Sequence, residues 1–222
     1  FRALLHRLDL GPEDRLICLG DMIDRGTDSA GVIKLIRSDS RIICIKGNHE
    51  QMAIQSITKE GNVELWQPWM QRGGKSTWGS YILQAEGDLY KAKRMFYKDA
   101  KWMDELPTQI VLDKWRFVHA GYDPRMPLDA QGEKELLWIR KIWYNHETPV
   151  DPQRTIVFGH TTTTKVGKAN GGDIAYSTFD NELGKPAWIA MDVGAYNHIS
   201  PGLAAIDIAT LEVIKQSTLR SD

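Results

Sequence analysis

The first part of the chain alternates short apolar runs with a segment of helical spacing. Leu16–Leu19 and Ile42–Ile45 are continuous apolar runs of strand length. Between them, Asp28–Ser38 places Ala, Val, Ile and Leu at helical intervals. A strand, a helix and a strand in succession predict a βαβ unit, with parallel strands and a right-handed crossover.

Residues 50–105 have mainly helical patterns, and strand patterns dominate after Pro107. The predicted helices are Glu50–Ile57, Val63–Met70 and Tyr90–Met103, with breaks at Gly73-Gly74 and Gly87. The predicted strands are Gln109–Leu112, Arg116–Val118, Thr155–Phe158, Trp188–Met191 and Leu203–Ile208. A helical segment is predicted at Glu133–Trp143, and residues 165–187, rich in Gly, Asn and Lys, predict a long surface loop or loose hairpin.

Composition limits the classes of protein that fit this pattern. The chain has 222 residues, 42% of them hydrophobic, which predicts one globular domain over residues 1–222. The formal net charge of -1 does not favour nucleic acid or an anionic membrane as a partner. No apolar stretch approaches the roughly 20 residues needed to cross a bilayer, and the N-terminus does not have the pattern of a signal peptide. Both cysteines, Cys18 and Cys44, lie in apolar runs, which is typical of buried thiols in a reducing compartment.

Polar side chains follow the ends of several predicted strands. The segments are LICLGDMIDRG (16–26), IICIKGNHE (42–50), WRFVHAG (115–121) and TIVFGHT (155–161). Each apolar run is followed within three residues by Asp21, Asn48, His119 or His160, and small residues stand beside that side chain. In α/β sheets, ligands bind beyond the carboxyl ends of strands, so these side chains are expected to converge.

The four side chains form a mixed set of oxygen and nitrogen donors. A single Asp after a strand is usually a helix cap, and a single His is usually a hydrogen-bonded loop residue. The metal-site hypothesis therefore rests on the fact that such a side chain occurs at four strand ends, not at one. The donor set suits Mn, Fe or Zn better than Ca or Mg, and it lacks the thiolates of a structural zinc site.

These motifs also resemble a known family. GDMIDRG (20–26), GNHE (47–50), HAG (119–121) and GHT (159–161) look like the signature of metal-dependent phosphoprotein phosphatases, within the calcineurin-like metallophosphatase superfamily. The likeness is greatest to bacterial and phage serine/threonine phosphatases of the lambda phage phosphatase type, and KEGNV (59–63), DELP (104–107) and LLWIR (136–140) strengthen it. The resemblance implies an α/β fold: a β-sandwich of two mixed sheets flanked by helices, with the active site at the carboxyl ends of strands.

The resemblance also implies a reaction, the hydrolysis of phosphomonoesters in serine/threonine phosphoproteins or phosphopeptides. A dinuclear centre, most typically of Mn with Fe or Zn as alternatives, would supply a metal-bridging hydroxide for in-line attack. Asp21 would bridge the metals, and Asn48, His119 and His160 would complete one of the two sites. His49 would act as general acid, oriented by a hydrogen bond to Asp24.

Two arginines, Arg25 and Arg140, would clamp the phosphate oxygens, because a guanidinium fork matches phosphate. For Arg140 a surface salt bridge is a rival interpretation, because its motif is short. Lys46 stands where these phosphatases often carry Arg, and no role is assigned to it. The implied location is the cytosol of a bacterium or of a phage-infected host, and the oligomeric state is not predicted.

One expected motif lies outside the sequence. The family's first motif, Gly-Asp-x-His-Gly, supplies ligands to the other metal just before an opening helix that FRALLHRLDL resembles. No Asp-x-His precedes Phe1, so a short upstream strand carrying this motif is expected. The alternatives are a dinucleoside polyphosphate hydrolase of the same fold, whose members usually have Asn-His-Asp, and a catalytically impaired single-metal binding module.

Overall fold

The computed structural model describes residues 1–58, 63–167, 169–196 and 200–219. The KEGNV resemblance at 59–63 therefore lies almost entirely outside the described residues. The described chain forms two compact units, Arg15–Pro107 and a second unit made of Phe1–Asp14 with Thr108–Asp222. The interpretation of residues 1–222 as one domain stays a prediction.

Helices and strands alternate along much of the chain. The helices are α1 (Arg2–Leu8), α2 (Ser29–Ser38), α3 (Asn48–Thr58), α4 (Val63–Trp69), α5 (Lys75–Gln84), α6 (Leu89–Asp104), α7 (Glu133–Trp138) and α8 (Lys141–Tyr144). The strands are β1 (Leu16–Cys18), β2 (Ile42–Cys44), β3 (Gln109–Val111), β4 (Trp115–Val118), β5 (Thr155–Phe158), β6 (Ala175–Tyr176), β7 (Trp188–Ala190), β8 (Gly202–Ile206) and β9 (Val213–Ser217).

The unit Arg15–Pro107 opens with the predicted strand–helix–strand unit. β1 and β2 pair in parallel, with α2 between them in sequence, as the hydrophobic pattern predicts. Asp28 caps α2, because its Oδ1 accepts the Gly31 N–H at 2.9 Å. The rest of the unit is helical, and its core includes Trp69 stacked on Phe96 with ring centroids 5.2 Å apart.

The predicted break at Gly73-Gly74 is a kink within a nearly continuous helical segment. A π-helical turn, Met70–Gly74, joins α4 directly to α5, and Gly73 has φ 122°, outside the helical region. The turn therefore changes the direction of the chain without inserting a loop.

The second unit contains a five-stranded mixed sheet in the order β3-β4-β5-β7-β6. The central strands β4, β5 and β7 are parallel, and β3 and β6 pair antiparallel at the edges. β8 and β9 form a separate antiparallel pair. β5 is buried along its whole length, which explains its continuous apolar sequence. The α/β class with mixed sheets is thus confirmed.

One local prediction in the second unit needed correction, and the structure decides between two alternatives for another segment. The predicted helix Glu133–Trp143 is two short helices, because Ile139 is extended (ψ 147°) and Arg140 has φ -135° and ψ -114°. Of the two alternatives predicted for residues 165–187, a surface loop or a loose hairpin, the described residues show the hairpin: β6 pairs antiparallel with β7, and Asp180 and Pro186 form an antiparallel bridge between them. Within the described residues, no helix combines the length and apolar composition required to span a membrane.

Candidate functional site

A buried carboxylate connects the two corners that follow β1 and β2. Glu50 is fully buried, and its Oε2 accepts the N–H groups of Asp21 and Gly47, each at 2.8 Å. Its Oε1 accepts the N–H of Met22 at 2.8 Å. The Glu50 side chain therefore holds both motif-bearing corners in one arrangement, a role that the sequence analysis did not assign to it.

Gly47 is required by this arrangement because there is no room for a side chain. A Cβ at this position would lie 2.5 Å from Asp21 N and 2.7 Å from a Glu50 carboxylate oxygen. Backbone therefore approaches backbone directly where the corners meet.

Asp21 and Asn48 belong to this pair of corners. Asp21 has φ 53°, a left-handed conformation that a non-glycine residue rarely adopts. Its Oδ1 accepts the backbone N–H of His49 at 3.2 Å. Asn48 is buried and is the first residue of α3. The two candidate metal ligands of this unit thus follow neighbouring parallel strands.

The pair His49 and Asp24 is in direct contact, as the sequence analysis expected. His49 Nδ1 lies 2.6 Å from Asp24 Oδ2, and the two side chains are only 5% and 1% exposed. Burial by itself would lower the pKa of His49, but the hydrogen bond to Asp24 and the negative charge of Asp21 outweigh it. The net effect raises the pKa of His49 above its ordinary value.

The two cationic side chains of this unit differ in setting. Arg25 is exposed and has φ 63°, and its backbone N–H donates to Gly73 O at 3.3 Å. Lys46 is buried, and its Nζ lies 3.5 Å from the Asp104 carboxylate. Lys46 thus has a carboxylate partner. Arg25, by contrast, is exposed to solvent in the corner that follows β1.

The second unit brings together His119, His160 and Arg140. His119 Nε2 and His160 Nδ1 are 3.2 Å apart, and His119 is buried at the end of β4. Arg140 Nη1 donates to the Thr161 hydroxyl at 2.9 Å and to the His160 carbonyl at 3.3 Å. The Arg140 guanidinium is therefore held against the turn that carries His160.

Backbone strain is concentrated at these positions. Among the described residues, eight non-glycine positions have positive φ, and four of them are candidate site residues: Asp21, Asp24, Arg25 and His160. Such conformations cost roughly 1–3 kcal/mol each and recur at functional sites.

The donor groups of each unit fit a divalent metal. Two imidazole nitrogens bound to one cation at roughly 2.1 Å lie about 3.0–3.4 Å apart. The two histidine nitrogens of the second unit are separated by 3.2 Å, which matches. Two imidazole rings that share a hydrogen bond have a similar separation. The argument for a metal site therefore rests on the donor types as much as on the distance. In the first unit, the Asp21 carboxylate and the Asn48 amide supply oxygen donors, and no thiolate is needed.

Comparison with known proteins agrees with this chemistry. The family model for calcineurin-like phosphoesterases matches residues 1–190. The chain is 28% identical over 156 residues to serine/threonine-protein phosphatase 1 of Salmonella typhimurium, covering 67% of this chain and 66% of the relative, just under two thirds. It is 28% identical over 167 residues to serine/threonine-protein phosphatase 2 of Escherichia coli, covering 72% of each chain.

Solved structures show the same fold. A metallophosphoesterase from Sphaerobacter thermophilus aligns with a TM-score of 0.54 at 16% identity, covering 99% of this chain and 83% of the other. A hypothetical protein from Pyrococcus horikoshii OT3 aligns with a TM-score of 0.51 at 14% identity, covering 97% and 79%. At these identities the likeness concerns the fold alone. Together with the match of the family model over most of the chain, it shows that the chain belongs to the calcineurin-like phosphoesterases, a family of phosphoester hydrolases.

Proposed function

We propose that this chain is a metal-dependent protein phosphatase that removes phosphate from serine and threonine side chains. The observation that carries the proposal is the buried pair of Asp24 and His49, with 2.6 Å between Oδ2 and Nδ1. An alkoxide leaving a phosphoserine is strongly basic and needs a proton, whereas a polyphosphate leaving group is much less basic. A pair built to deliver a proton therefore favours alkyl monoesters over dinucleoside polyphosphates.

His49 is suited to the role of general acid. Asp24 engages Nδ1, so Nε2 is the nitrogen that carries the transferable proton. The pKa of His49 is raised, because the effects of its carboxylate neighbours outweigh the opposing effect of burial. After transfer, Asp24 still accepts a hydrogen bond from Nδ1–H, so the neutral ring keeps its orientation.

The proposed metal ligands are Asp21, Asn48, His119 and His160, and the proposed cofactor is a pair of divalent ions, most typically Mn. The assignment is supported by the family, by the match of each motif and by the donor chemistry of each unit. When bound, the metal ions would neutralise phosphate oxygens and lower the pKa of a nucleophilic water.

Arg25 and Arg140 are the proposed phosphate-binding residues. Arg25 is exposed beside the His49 partner Asp24, and Arg140 is held on the turn that carries His160. A guanidinium presents paired N–H donors with the spacing of phosphate oxygens, so each side chain can bind an oxygen that carries charge throughout the reaction.

The proposed partner is a phosphoprotein, and the names of the bacterial relatives support this substrate class. The cysteines carry no disulfide, which suits a cytoplasmic location.

The direct test compares two substrates with added manganese. A phosphoserine peptide and diadenosine tetraphosphate are each supplied to the purified chain, and kcat/KM is measured for both. The proposal expects the peptide to be hydrolysed with the higher kcat/KM. Faster cleavage of the nucleotide would overturn the substrate class, and turnover of neither with metal bound would favour a binding module.

A variant tests the role of His49 separately. His49→Asn should lose about 100-fold or more in kcat on the phosphopeptide, which is the scale of general acid catalysis. Manganese binding, measured by calorimetry, should persist because His49 is not a proposed ligand. Full activity of this variant would contradict the general-acid role.

A further inference from the structure

The Asp24 carboxylate is held by more groups than its partnership with His49 requires. Trp69 Nε1 donates to both oxygens, at 3.1 Å to Oδ1 and 3.0 Å to Oδ2. The Thr77 hydroxyl donates to Oδ1 at 2.7 Å. With His49 on Oδ2, the carboxylate is enclosed by donors and is only 1% exposed.

Thr77 forms hydrogen bonds with both the backbone and the side chain of Asp24. The Asp24 N–H donates to Thr77 Oγ1 at 2.8 Å, so one hydroxyl both accepts from and donates to the same residue. This contact stabilises Asp24 in its left-handed conformation, with φ 73°. The Thr77 hydroxyl also lies 3.1 Å from Ser29 Oγ, so it belongs to a hydrogen-bonded network around the Asp24 backbone.

The two donors lie on one continuous helical segment. Trp69 ends α4, Thr77 lies in the first turn of α5, and the π-helical turn Met70–Gly74 joins them. A Cβ on Gly73 would lie 2.9 Å from Asp24 Cβ, and a Cβ on Gly74 would lie 2.6 Å from the Trp69 ring. The glycines therefore allow the segment to close directly around Asp24. The Trp69 ring is in turn packed parallel to Phe96, with 6° between the planes.

We infer that Trp69 and Thr77 are positioning residues that orient the Asp24 carboxylate and, through it, the imidazole of His49. With Oδ1 occupied by the Thr77 hydroxyl and the indole N–H bridging both oxygens, Oδ2 is presented to His49 Nδ1 in a single orientation. That orientation favours the ring form with the proton on Nδ1 and aims Nε2 outward. The inference deepens the proposed function and rests on it, because it concerns the same general acid.

The test removes the Thr77 hydroxyl and follows how the rate depends on the leaving group. Thr77→Val keeps the shape of the side chain, and Ser29 Oγ, 3.2 Å from the Asp24 N–H, still offers that buried donor an acceptor. A series of aryl phosphates, from p-nitrophenyl phosphate to phenyl phosphate, is hydrolysed with manganese present. Thr77→Val should lose about tenfold in kcat on phenyl phosphate, as expected for a weakened general acid. It should lose little on p-nitrophenyl phosphate, whose leaving group does not need a proton.

Two matched variants isolate the effect. Thr77→Ser restores a hydroxyl and should recover most of the rate on phenyl phosphate. Thr155→Val removes another buried threonine hydroxyl, which donates to Pro186 O at 2.7 Å, and should leave the dependence on the leaving group unchanged. If Thr77→Val and Thr155→Val lower all the rates uniformly, the loss is structural and the inference is overturned.

A spectroscopic measurement does not depend on turnover. In the metal-free wild-type chain, at a pH high enough for the His49 ring to be neutral, long-range proton–nitrogen NMR correlations should show its proton on Nδ1. Thr77→Val should give a mixture of ring forms, and Trp69→Phe, which deletes the indole N–H and retains an aromatic ring, should do the same. An unchanged single form in both folded variants would overturn the inference.

Failure of the inference is distinguishable from failure of the proposed function. His49→Asn serves as the reference for loss of the general acid. If His49→Asn shows the leaving-group effect and the Thr77 and Trp69 variants do not, only the positioning role is wrong. If wild-type protein with manganese hydrolyses none of the phosphate esters, the proposed function fails first.

Discussion

At the scale of single residues, Glu50 does the most to arrange the first unit. Its carboxylate accepts three backbone N–H groups from two corners that are far apart in sequence. The backbone amides have no comparable acceptor if the side chain changes, so their burial would then be costly.

Glu50→Gln should therefore lower the free energy of unfolding by about 1–3 kcal/mol, because the amide N–H₂ replaces one acceptor oxygen with a donor. Urea unfolding measures the change. Glu86→Gln is the matched control, since the Glu86 side chain is 89% exposed, and it should alter stability by less than about 0.5 kcal/mol. Equal effects of the two substitutions would contradict the role given to Glu50.

Residue-level chemistry was partly readable from sequence. The contact of His49 with Asp24 was expected from motif resemblance, and the structure shows it. The donors Trp69 and Thr77 were not identified, because they lie 45 and 53 residues from Asp24 and no local pattern marks them. Glu50 is part of a quoted motif, but two of its three hydrogen bonds are to a corner 28 or 29 residues away.

At the scale of elements, two glycines differ in how much space a side chain would have. Gly47 lies where the corners after β1 and β2 meet, and a Cβ would overlap Asp21 at 2.5 Å. Gly79 lies inside α5, and a Cβ there would have nothing within 4 Å.

Gly47→Ala should thus destabilise the chain and displace Asp21, whereas Gly79→Ala should stabilise it by about 0.5–1 kcal/mol through helix propensity. Thermal and urea unfolding of the two variants measure both effects. A Gly47→Ala variant as stable as wild type would mean that the corners do not approach as closely as described.

A second prediction at this scale concerns the edge of the five-stranded sheet. Burial raises the pKa of Tyr122 to about 12, against the opposing positive charge of Arg116. In the unfolded chain a tyrosine titrates near pH 10. The folded state favours the neutral phenol, so this contribution to stability is complete below about pH 10 and is lost as the pH rises toward 12.

Tyr122→Phe should lose less stability than wild type between pH 9 and pH 11, although it starts lower because the hydroxyl bond to Gln109 is gone. Urea unfolding at the two pH values measures this difference. Tyr90→Phe, on a 73% exposed side chain, should follow wild type. If Tyr122→Phe and wild type lose the same free energy of unfolding between pH 9 and pH 11, ionisation of the Tyr122 phenol does not cause the loss of stability.

The existence of helices and strands was predicted better than the positions at which they begin and end. The strands β1, β2 and β5 have continuous apolar sequences, which made them predictable, and β5 is buried along its whole length. The division of Glu133–Trp143 into α7 and α8 was missed, because Ile139 and Arg140 are ordinary residues in a helical pattern and only tertiary contacts of Arg140 explain the break. The bridge Asp180–Pro186 likewise has no periodic signal over residues of mixed polarity.

At the scale of the whole molecule, metal binding should be coupled to stability. A ligand that binds only the native state at 100 times its Kd stabilises by about 2.7 kcal/mol, or roughly 5–10 °C in Tm for a chain of this size. Manganese should therefore raise Tm, and chelation should reverse the increase.

His119→Asn should lose most of that increase, because it removes a proposed ligand. His6→Asn, on an exposed side chain of α1, is the matched control and should retain it. Equal Tm increases in the two variants would contradict the ligand assignment.

The most direct measurement is phosphate release from a phosphoserine peptide by the purified chain, first stripped of metal by a chelator and then supplied with manganese. Wild type should release phosphate only after manganese is restored, and Asp21→Asn should fail to recover the rate. Release that persists without metal, or that survives unchanged in Asp21→Asn, would contradict metal-dependent phosphoester hydrolysis at these residues.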